Sequence, residues 1–411
     1  MQKIMAVNAG SSSLKFQLLE MPAENLIVSG LVENIGPNEM GHVTFKVNGE
    51  KIIDKDEKVL DHEVAVKIVL DGLLEKKLIK SFDEITGVGH RVVQGGSYFS
   101  DSCLVDEDVL AKIEELIPLA PLHNGPHLVG IRAFQSVLKD VPNVVVFDTS
   151  FHQTMPETSY LYGVPYEWMT DYKVRKYGAH GTSHKYVANE CARFLGKDVK
   201  DLKIVTCHLG NGASLTAVKD GKCLDTTMGL TPLDGFPMGT RSGSLDPTVI
   251  QYMNKQTGMS IDEIINALNK KSGYLGISGV SNDSRRVEAK LNVPENASEE
   301  EKEVSRRCHL AFDLQYKRIA DYIGSFYVLM EGIDAIVFTA GIGENSSAFR
   351  KRVLDRIKVL GIEYDEELIK IRKQEIEIST PNSKIKVFVI PTNEELAIAR
   401  DVVRLKSENN K

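Results

Sequence analysis

The chain has 411 residues, 42% of them hydrophobic and 26% charged, with a formal net charge of −7. Such a length exceeds one ordinary core and predicts two lobes of a soluble globular protein. The acidic balance excludes a general nucleic-acid binder, which would carry a basic excess. No apolar run of about 18 residues could span a membrane. Without a signal-peptide pattern, the expected location is the cytoplasm. Cys103, Cys191, Cys207, Cys223 and Cys308 are scattered without CxxC spacing. They suggest neither a disulfide framework nor a zinc site and read as buried thiols.

Residues 3–20 read as a β-hairpin. Ile4 to Val7 form a buried-type strand, residues 8–13 a turn, and Leu14, Phe16 and Leu18 alternate with Lys15 and Gln17, the period of a half-buried strand. A helix is predicted over 106–117, stopped near Pro118. Asn143–Phe147 is a buried strand leading into Asp148. An amphipathic helix is predicted over 183–195, with Val187, Cys191 and Phe194 as its apolar stripe. The opening design then recurs: strand 203–207, glycine-containing turn 208–214, and an outgoing strand from Leu215. The recurrence suggests duplicated architecture; two unrelated hairpins are the alternative. Residues 288–303 read as a solvated surface excursion. A buried strand at 336–340 runs into a glycine turn and a helix through Phe349, Val353 and Leu354, and the last strand is 386–390. Strands alternating with helices make this an α/β protein.

Three turns are of the kind that cradles phosphate with backbone N–H groups. They are the 8–15 segment with its hydroxyls and Lys15, the 208–212 turn, and the 341–345 turn, which follows a buried strand and opens a helix. No GxxxxGK[ST] sequence exists, and the protein-kinase motifs are absent, so a third kind of nucleotide fold is indicated. Arg91 and Arg241 lie in glycine-flanked segments; a guanidinium there suits phosphate or carboxylate. His180 precedes a helix. His180 and His184 are four residues apart, but no glutamate beside His180 completes a zincin motif. Asp148 ends a strand, where ligands gather in open α/β sheets, although an aspartate there also caps the following segment. Thr392 and Glu395 read as a capping box, with Glu394 between them.

Taken in order, these motifs resemble the acetate kinase family over essentially the whole chain. The matches are Asn8 to Lys15, Gly178 to His184, His208 to Gly212, Asp234 to Gly243, Gly341 to Asn345 and Thr392 to Leu396. The resemblance implies the actin, sugar-kinase and heat-shock-chaperone superfamily fold: two duplicated lobes with the active site in the interlobe cleft. It implies lobes at 1–150, completed by 386–411, and at 151–385, and a homodimer. It further implies reversible phosphoryl transfer between ATP and acetate, giving ADP and acetyl phosphate, with Mg²⁺ or Mn²⁺.

By the same resemblance, Asn8 and Glu394 hold the metal. Ser11, Ser13, Lys15, His208, Leu209, Gly210, Asn211, Gly212, Asp283, Ser284, Arg285, Gly341, Ile342, Gly343, Glu344 and Asn345 hold the nucleotide. Arg91 grips the carboxylate; Val93, Leu122 and Pro232 line its methyl pocket. His180 and Arg241 stabilise the phosphoryl group in flight, and Asp148 is an acid/base or positioning group. A carboxylate is already an oxygen nucleophile, so positioning and charge neutralisation carry the reaction, and Asp148 is better read as orienting a partner than as taking a proton. The family's usual phenylalanine before the motif histidine is Ala179 here, which predicts a roomier acyl pocket. Propionate or butyrate is the alternative acceptor. A non-enzymatic ATP-binding scaffold would not need Arg91, Arg241 and His180 together.

Overall fold

Leu14, Phe16 and Leu18 are fully buried along β2 (Ser13–Met21), while Lys15 between them is exposed. Burial of alternate side chains fixes the register of such a strand. β2 pairs antiparallel with β1 (Gln2–Ala9), closing the hairpin expected over 3–20. In the computed structural model, which describes residues 1–409, this hairpin is the middle of an eight-stranded sheet. β3 (Asn25–Glu33), β4 (Gly41–Val47) and β5 (Glu50–Glu57) extend it antiparallel beyond β2. On the other side of β1 lie β6 (Ile85–Val92) and β8 (Asn143–Phe147), both parallel, with the short β7 (Cys103–Leu104) at the edge. This sheet belongs to a first unit comprising Met1–Gln153, Gly181–Ser183 and the segment from Asn393 onward.

The second unit, Thr154–His180 and His184–Thr392, holds a six-stranded sheet. Its strands are β9 (Lys203–Leu209), β10 (Ala213–Lys219), β11 (Lys222–Thr226), β12 (Ala335–Thr339), β13 (Ile376–Glu377) and β14 (Lys386–Val389), in the order β11-β10-β9-β12-β14-β13. Each sheet follows one plan. A leading strand has two antiparallel neighbours in succession on one side and two parallel ones on the other: β3-β2-β1-β6-β8 and β11-β10-β9-β12-β14. The duplicated architecture suggested by the recurring hairpin is therefore present in the topology.

β6 reads Gly87-Val88-Gly89. A Cβ at Gly89 would stand 2.3 Å from Ile398 Cγ2 and 2.8 Å from Val402 Cγ2, and one at Gly87 would stand 2.6 Å from Val402. The missing side chains let the C-terminal helix Glu394–Asn409 lie directly on the first sheet, burying Leu396, Ile398, Ala399 and Val402. That packing carries Glu394, the helix's first residue, into the first unit.

Several local expectations change. The 183–195 helix starts at Gly181, and Val187 and Cys191 are buried, but Phe194 is 42% exposed. The strand Lys386–Val389 pairs with β12 in the second sheet, so only the chain from Asn393 onward joins the first unit. The 288–303 stretch contains the start of the long helix Glu299–Leu329, capped by a Ser298–Glu301 box. Its glutamate run is that helix's first turn, where acids suit the dipole. Over 392–395 the cap is Asn393, whose Oδ1 accepts from Leu396 N at 3.0 Å, and Thr392 plays no such part. All five cysteines are unpaired, and four are buried. Among the described residues no helix is long and apolar enough to cross a membrane.

Because Ile398 and Val402 are branched and fully packed, they have little room to yield to a new methyl group. Gly89→Ala should therefore cost about 1–3 kcal/mol by overpacking. Calorimetry checks this: an unchanged Tm would mean that the helix does not depend on the glycine face.

Candidate active site

In the first unit, the parallel strands β1, β6 and β8 bring their carboxyl ends together, the usual ligand edge of an α/β sheet. They deliver Asn8, Arg91 with Val93, and Asp148. Asp148 is fixed by its main chain: its N–H donates to Val92 O at 2.9 Å and its carbonyl accepts from Gly181 N at 2.8 Å. A Cβ at Gly181 would meet that carbonyl at 2.3 Å, so glycine is required for the approach. The buried Asp148 carboxylate then accepts two bonds from Arg91, from Nε at 3.0 Å and from Nη2 at 2.7 Å. Asp148 raises the Arg91 pKa further, so the guanidinium is permanently charged. Its remaining N–H groups are left for another acceptor.

Glu394 adds a carboxylate to this cluster. Burial pushes its pKa up; Arg91 and Lys15 oppose the rise, and Asp148 and Glu395 add to it. Lys15 is ion-paired with Glu395, so the side chain expected at a nucleotide is tied to this acid. Asn8 stands opposite Lys15 in the β1–β2 register. Ser11 is exposed at the turn, which is closed by Gly10 N donating to Ser13 O at 2.8 Å. Val93 is buried, whereas Leu122 is 70% exposed just before the helix Asn124–Val137. Asn124 bonds both ways to the main chain of Gln94, at 3.1 and 2.9 Å, and so anchors the segment after Val93.

The second unit holds His180, His184 and Arg241. His180 has a left-handed φ of 59° and precedes the helix Gly181–Leu195. Its Nδ1 lies 2.9 Å from Ser214 Oγ, and the ring stacks on His208 with centroids 4.1 Å apart. His184 is fully buried, and its two nitrogens meet Thr206 Oγ1 at 2.7 Å and Ser214 Oγ at 2.8 Å. It therefore supports His180 through the shared hydroxyl. Arg241 donates Nη1 to Pro232 O at 3.3 Å, with Met238 Sδ at 3.8 Å. Among the described residues it has no carboxylate partner, and burial lowers its pKa. A Cβ at Gly212 would stand 3.1 Å from Arg241 Nη1 and 3.7 Å from His180 Nε2. Absence of a side chain there keeps a small space open between a guanidinium and an imidazole.

Next to that turn opens a cleft of about 700 Å³ within the second unit. Of the residues expected to hold the nucleotide, Gly210, Asn211, Asp283, Ser284, Arg285, Gly341, Ile342 and Asn345 line it. Gly239 is as necessary: a Cβ there would lie 2.0 Å from Asn211 Oδ1. Asp283 caps the short helix Ser284–Glu288, and Arg285 holds its carboxyl down to about 2.

The other expected nucleotide residues are not in the cleft wall. Leu209 is buried in the core and His208 is stacked under His180. The expected turn at 341–345 is itself the helix Ala340–Asn345. That helix turns Gly343 inward, where its carbonyl accepts from Arg350 at 2.8 Å, and brings Glu344 to the Thr392 N–H at 3.3 Å.

Sequence reading gives no site role to Gly239, Asn282, Arg372 and Lys373 at the cleft, nor to Ser214 and His127, and it reads Glu395 only as half of a capping box. Gly239 sits inside the segment singled out for Arg241, Ser214 closes the glycine-containing 208–214 turn, Glu395 lies in the 392–396 segment and Asn282 adjoins Asp283; Arg372, Lys373 and His127 lie outside every segment singled out.

Comparison with known proteins agrees over the full length. The Acetokinase family model matches residues 3–400. Acetate kinase of Acholeplasma laidlawii is 55% identical over 406 residues, covering 99% of this chain and 100% of that protein. Acetate kinase of Geobacillus kaustophilus is 55% identical over 405 residues, covering 98% and 99%. The crystal structure of Porphyromonas gingivalis acetate kinase superposes with a TM-score of 0.92 at 41% identity, covering 99% of this chain and 100% of that one. A propionate kinase structure from Francisella tularensis gives 0.88 at 42% identity, covering 98% and 100%. With a family model spanning nearly the whole chain and full-length relatives at 55% identity, this chain belongs to the acetokinase family.

Proposed function

We propose that the chain transfers the γ-phosphoryl group of ATP to acetate by direct in-line attack of a carboxylate oxygen, giving acetyl phosphate and ADP. The observation that carries this reading is the Gly212 space, open between Arg241 and His180 and next in the chain to Gly210 and Asn211, which line the cleft. A nucleotide in that cleft would set its terminal phosphate against these two groups. Arg241, without a carboxylate of its own, is suited to the charge that spreads over the equatorial oxygens during transfer. His180, oriented by Ser214, would donate to the same oxygens. Acetate would bind the open side of Arg91, whose other side Asp148 holds. Asp148 is thus a positioning residue, and no proton need leave the carboxylate nucleophile.

The residues present fit a divalent cation. Among the described residues no three His, Cys, Asp or Glu side chains gather as a metal site, and Mg²⁺ commonly takes one or two carboxylates along with phosphate oxygens and water. Glu394 would supply a carboxylate and Asn8 an amide oxygen, with Mn²⁺ as a substitute. Acidic groups Asp148, Glu394 and Glu395 outnumber the cations Arg91 and Lys15 around Glu394, which favours a cation there. When bound, the ion neutralises phosphate charge.

Propionate is the second reading, favoured by Ala179. That residue is buried against the core of the second unit.

Hydroxylamine trapping of acyl phosphate formed from ATP and acetate tests the function; absence of any acyl phosphate would remove it. Arg241→Ala should lower kcat by about 10²–10³, the scale of one lost transition-state donor, with a much smaller change in KM. A near-normal kcat would exclude the role. Asp148→Asn should keep part of the activity, because an amide still accepts from Arg91, and Asp148→Ala should lose far more. Equal and total loss in both variants would show that the negative charge itself is essential. Ala179→Phe should lower the propionate-to-acetate ratio of kcat/KM about fourfold, the worth of one buried methylene. An unchanged ratio would place the pocket wall elsewhere.

A further inference from the structure

His127 lies in the first turns of the helix Asn124–Val137 and is 4% exposed. One turn later on the same helix, a Cβ at Gly130 would stand 2.5 Å from the Cβ of Ala9. The helix therefore packs tightly against the end of β1, and its His127 face looks toward the carboxyl edge that carries Asn8, Arg91 and Asp148. Both nitrogens of the His127 ring are buried and make no hydrogen bond among the described residues. The Ala9 carbonyl acts on the ring without making a regular hydrogen bond, and the charges of Arg91 and Asp148 both reach it. An imidazole buried in this way loses its bonds to water and gains none in return, so packing alone would be better served by an apolar side chain.

The neighbours narrow what could complete the ring. Arg91 gives two of its N–H groups to Asp148 and keeps the rest. A carboxylate on that open side has two oxygens with several acceptor positions, more than one guanidinium edge fills. Burial and Arg91 hold His127 near a pKa of about 4, so at neutral pH the ring is uncharged, with one N–H donor and one acceptor. An uncharged donor can bond a carboxylate oxygen without competing with Arg91 for Asp148.

We propose that His127 is a second carboxylate-binding residue: its imidazole N–H donates to one oxygen of the acyl substrate held by Arg91, leaving the other oxygen to attack. This inference rests on the reading that Arg91 holds the acetate. It assigns a directional role in which the two substrate oxygens become inequivalent before reaction. Arg91 supplies the charge and His127 the orientation.

Steady-state kinetics test it. His127→Leu should raise the acetate KM about tenfold or more, the worth of a hydrogen bond to a charged group, while the KM for ATP stays within twofold. His127→Asn, which keeps an N–H donor, should recover most of the loss. An acetate KM within twofold of the parent in His127→Leu would overturn the proposal and leave the ring as packing. Nitrogen NMR of the ¹⁵N-histidine-labelled, unmodified protein gives an independent reading if His127→Leu fails to fold. Adding acetate alone should shift one ring signal, assigned to His127 by its absence in His127→Asn; no shift at saturating acetate overturns the proposal. Arg91→Ala separates the two levels. If it leaves acetate use unchanged, the carboxylate site itself is misplaced. If it raises the acetate KM and His127→Leu does not, the His127 role alone fails.

Discussion

The two-pronged bond from Arg91 to Asp148 is the constraint around which the first unit is arranged. A buried ion pair loses several kcal/mol of hydration per ion, and only good geometry offsets that loss. The geometry here is supplied by main chain: β6 and β8 run in parallel register with Arg91 opposite Val146, and Asp148 is bonded on both sides to Val92 and Gly181. One edge of the guanidinium is thereby used to hold it still, and the other is presented in a fixed direction. A carboxylate meeting that edge loses no protein conformational freedom in binding, which is the main resource of an enzyme whose nucleophile needs no activation.

Glycine does comparable work at three levels. Gly87 and Gly89 set the distance between the first sheet and its C-terminal helix, and with it the placement of Glu394. Gly239 admits the Asn211 side chain into the cleft wall. Gly212 keeps the space beside Arg241 and His180 open. In each case the sequence shows only a small residue among others. What makes it necessary is a partner distant along the chain, such as Ile398 for Gly89.

That distinction explains what could be read from the sequence. The two hairpins, the buried strand ending at Asp148 and the class of fold were legible because alternation and apolar runs are local signals. The glycine turn at Gly210 and Asn211 was legible for the same reason. The Lys15 pairing was not, because Glu395 lies 380 residues away. The C-terminal cap was misplaced by one residue, since Thr392 and Asn393 both suit the position and only the Leu396 N–H decides between them. Phe194 fits a helical stripe yet faces solvent, because the stripe that packs is set by Val187 and Cys191. His127 carried no motif at all; its interest arises from an environment, and environment is a tertiary property.

The hydroxyl of Ser214 sits between two imidazoles but owns a single proton. If it gives that proton to His180 Nδ1, it must accept from His184 Nε2, and His184 Nδ1 must in turn accept from Thr206. The row of side chains then has a polarity, beginning at Thr206 and ending with N–H on His180 Nε2, the nitrogen that borders the Gly212 space. Reversed, the same row would end in a lone pair facing that space. An anion there stabilises the first arrangement and repels the second. A phosphate arriving beside Gly212 would therefore favour one set of tautomers along the row, through to a threonine inside the second sheet.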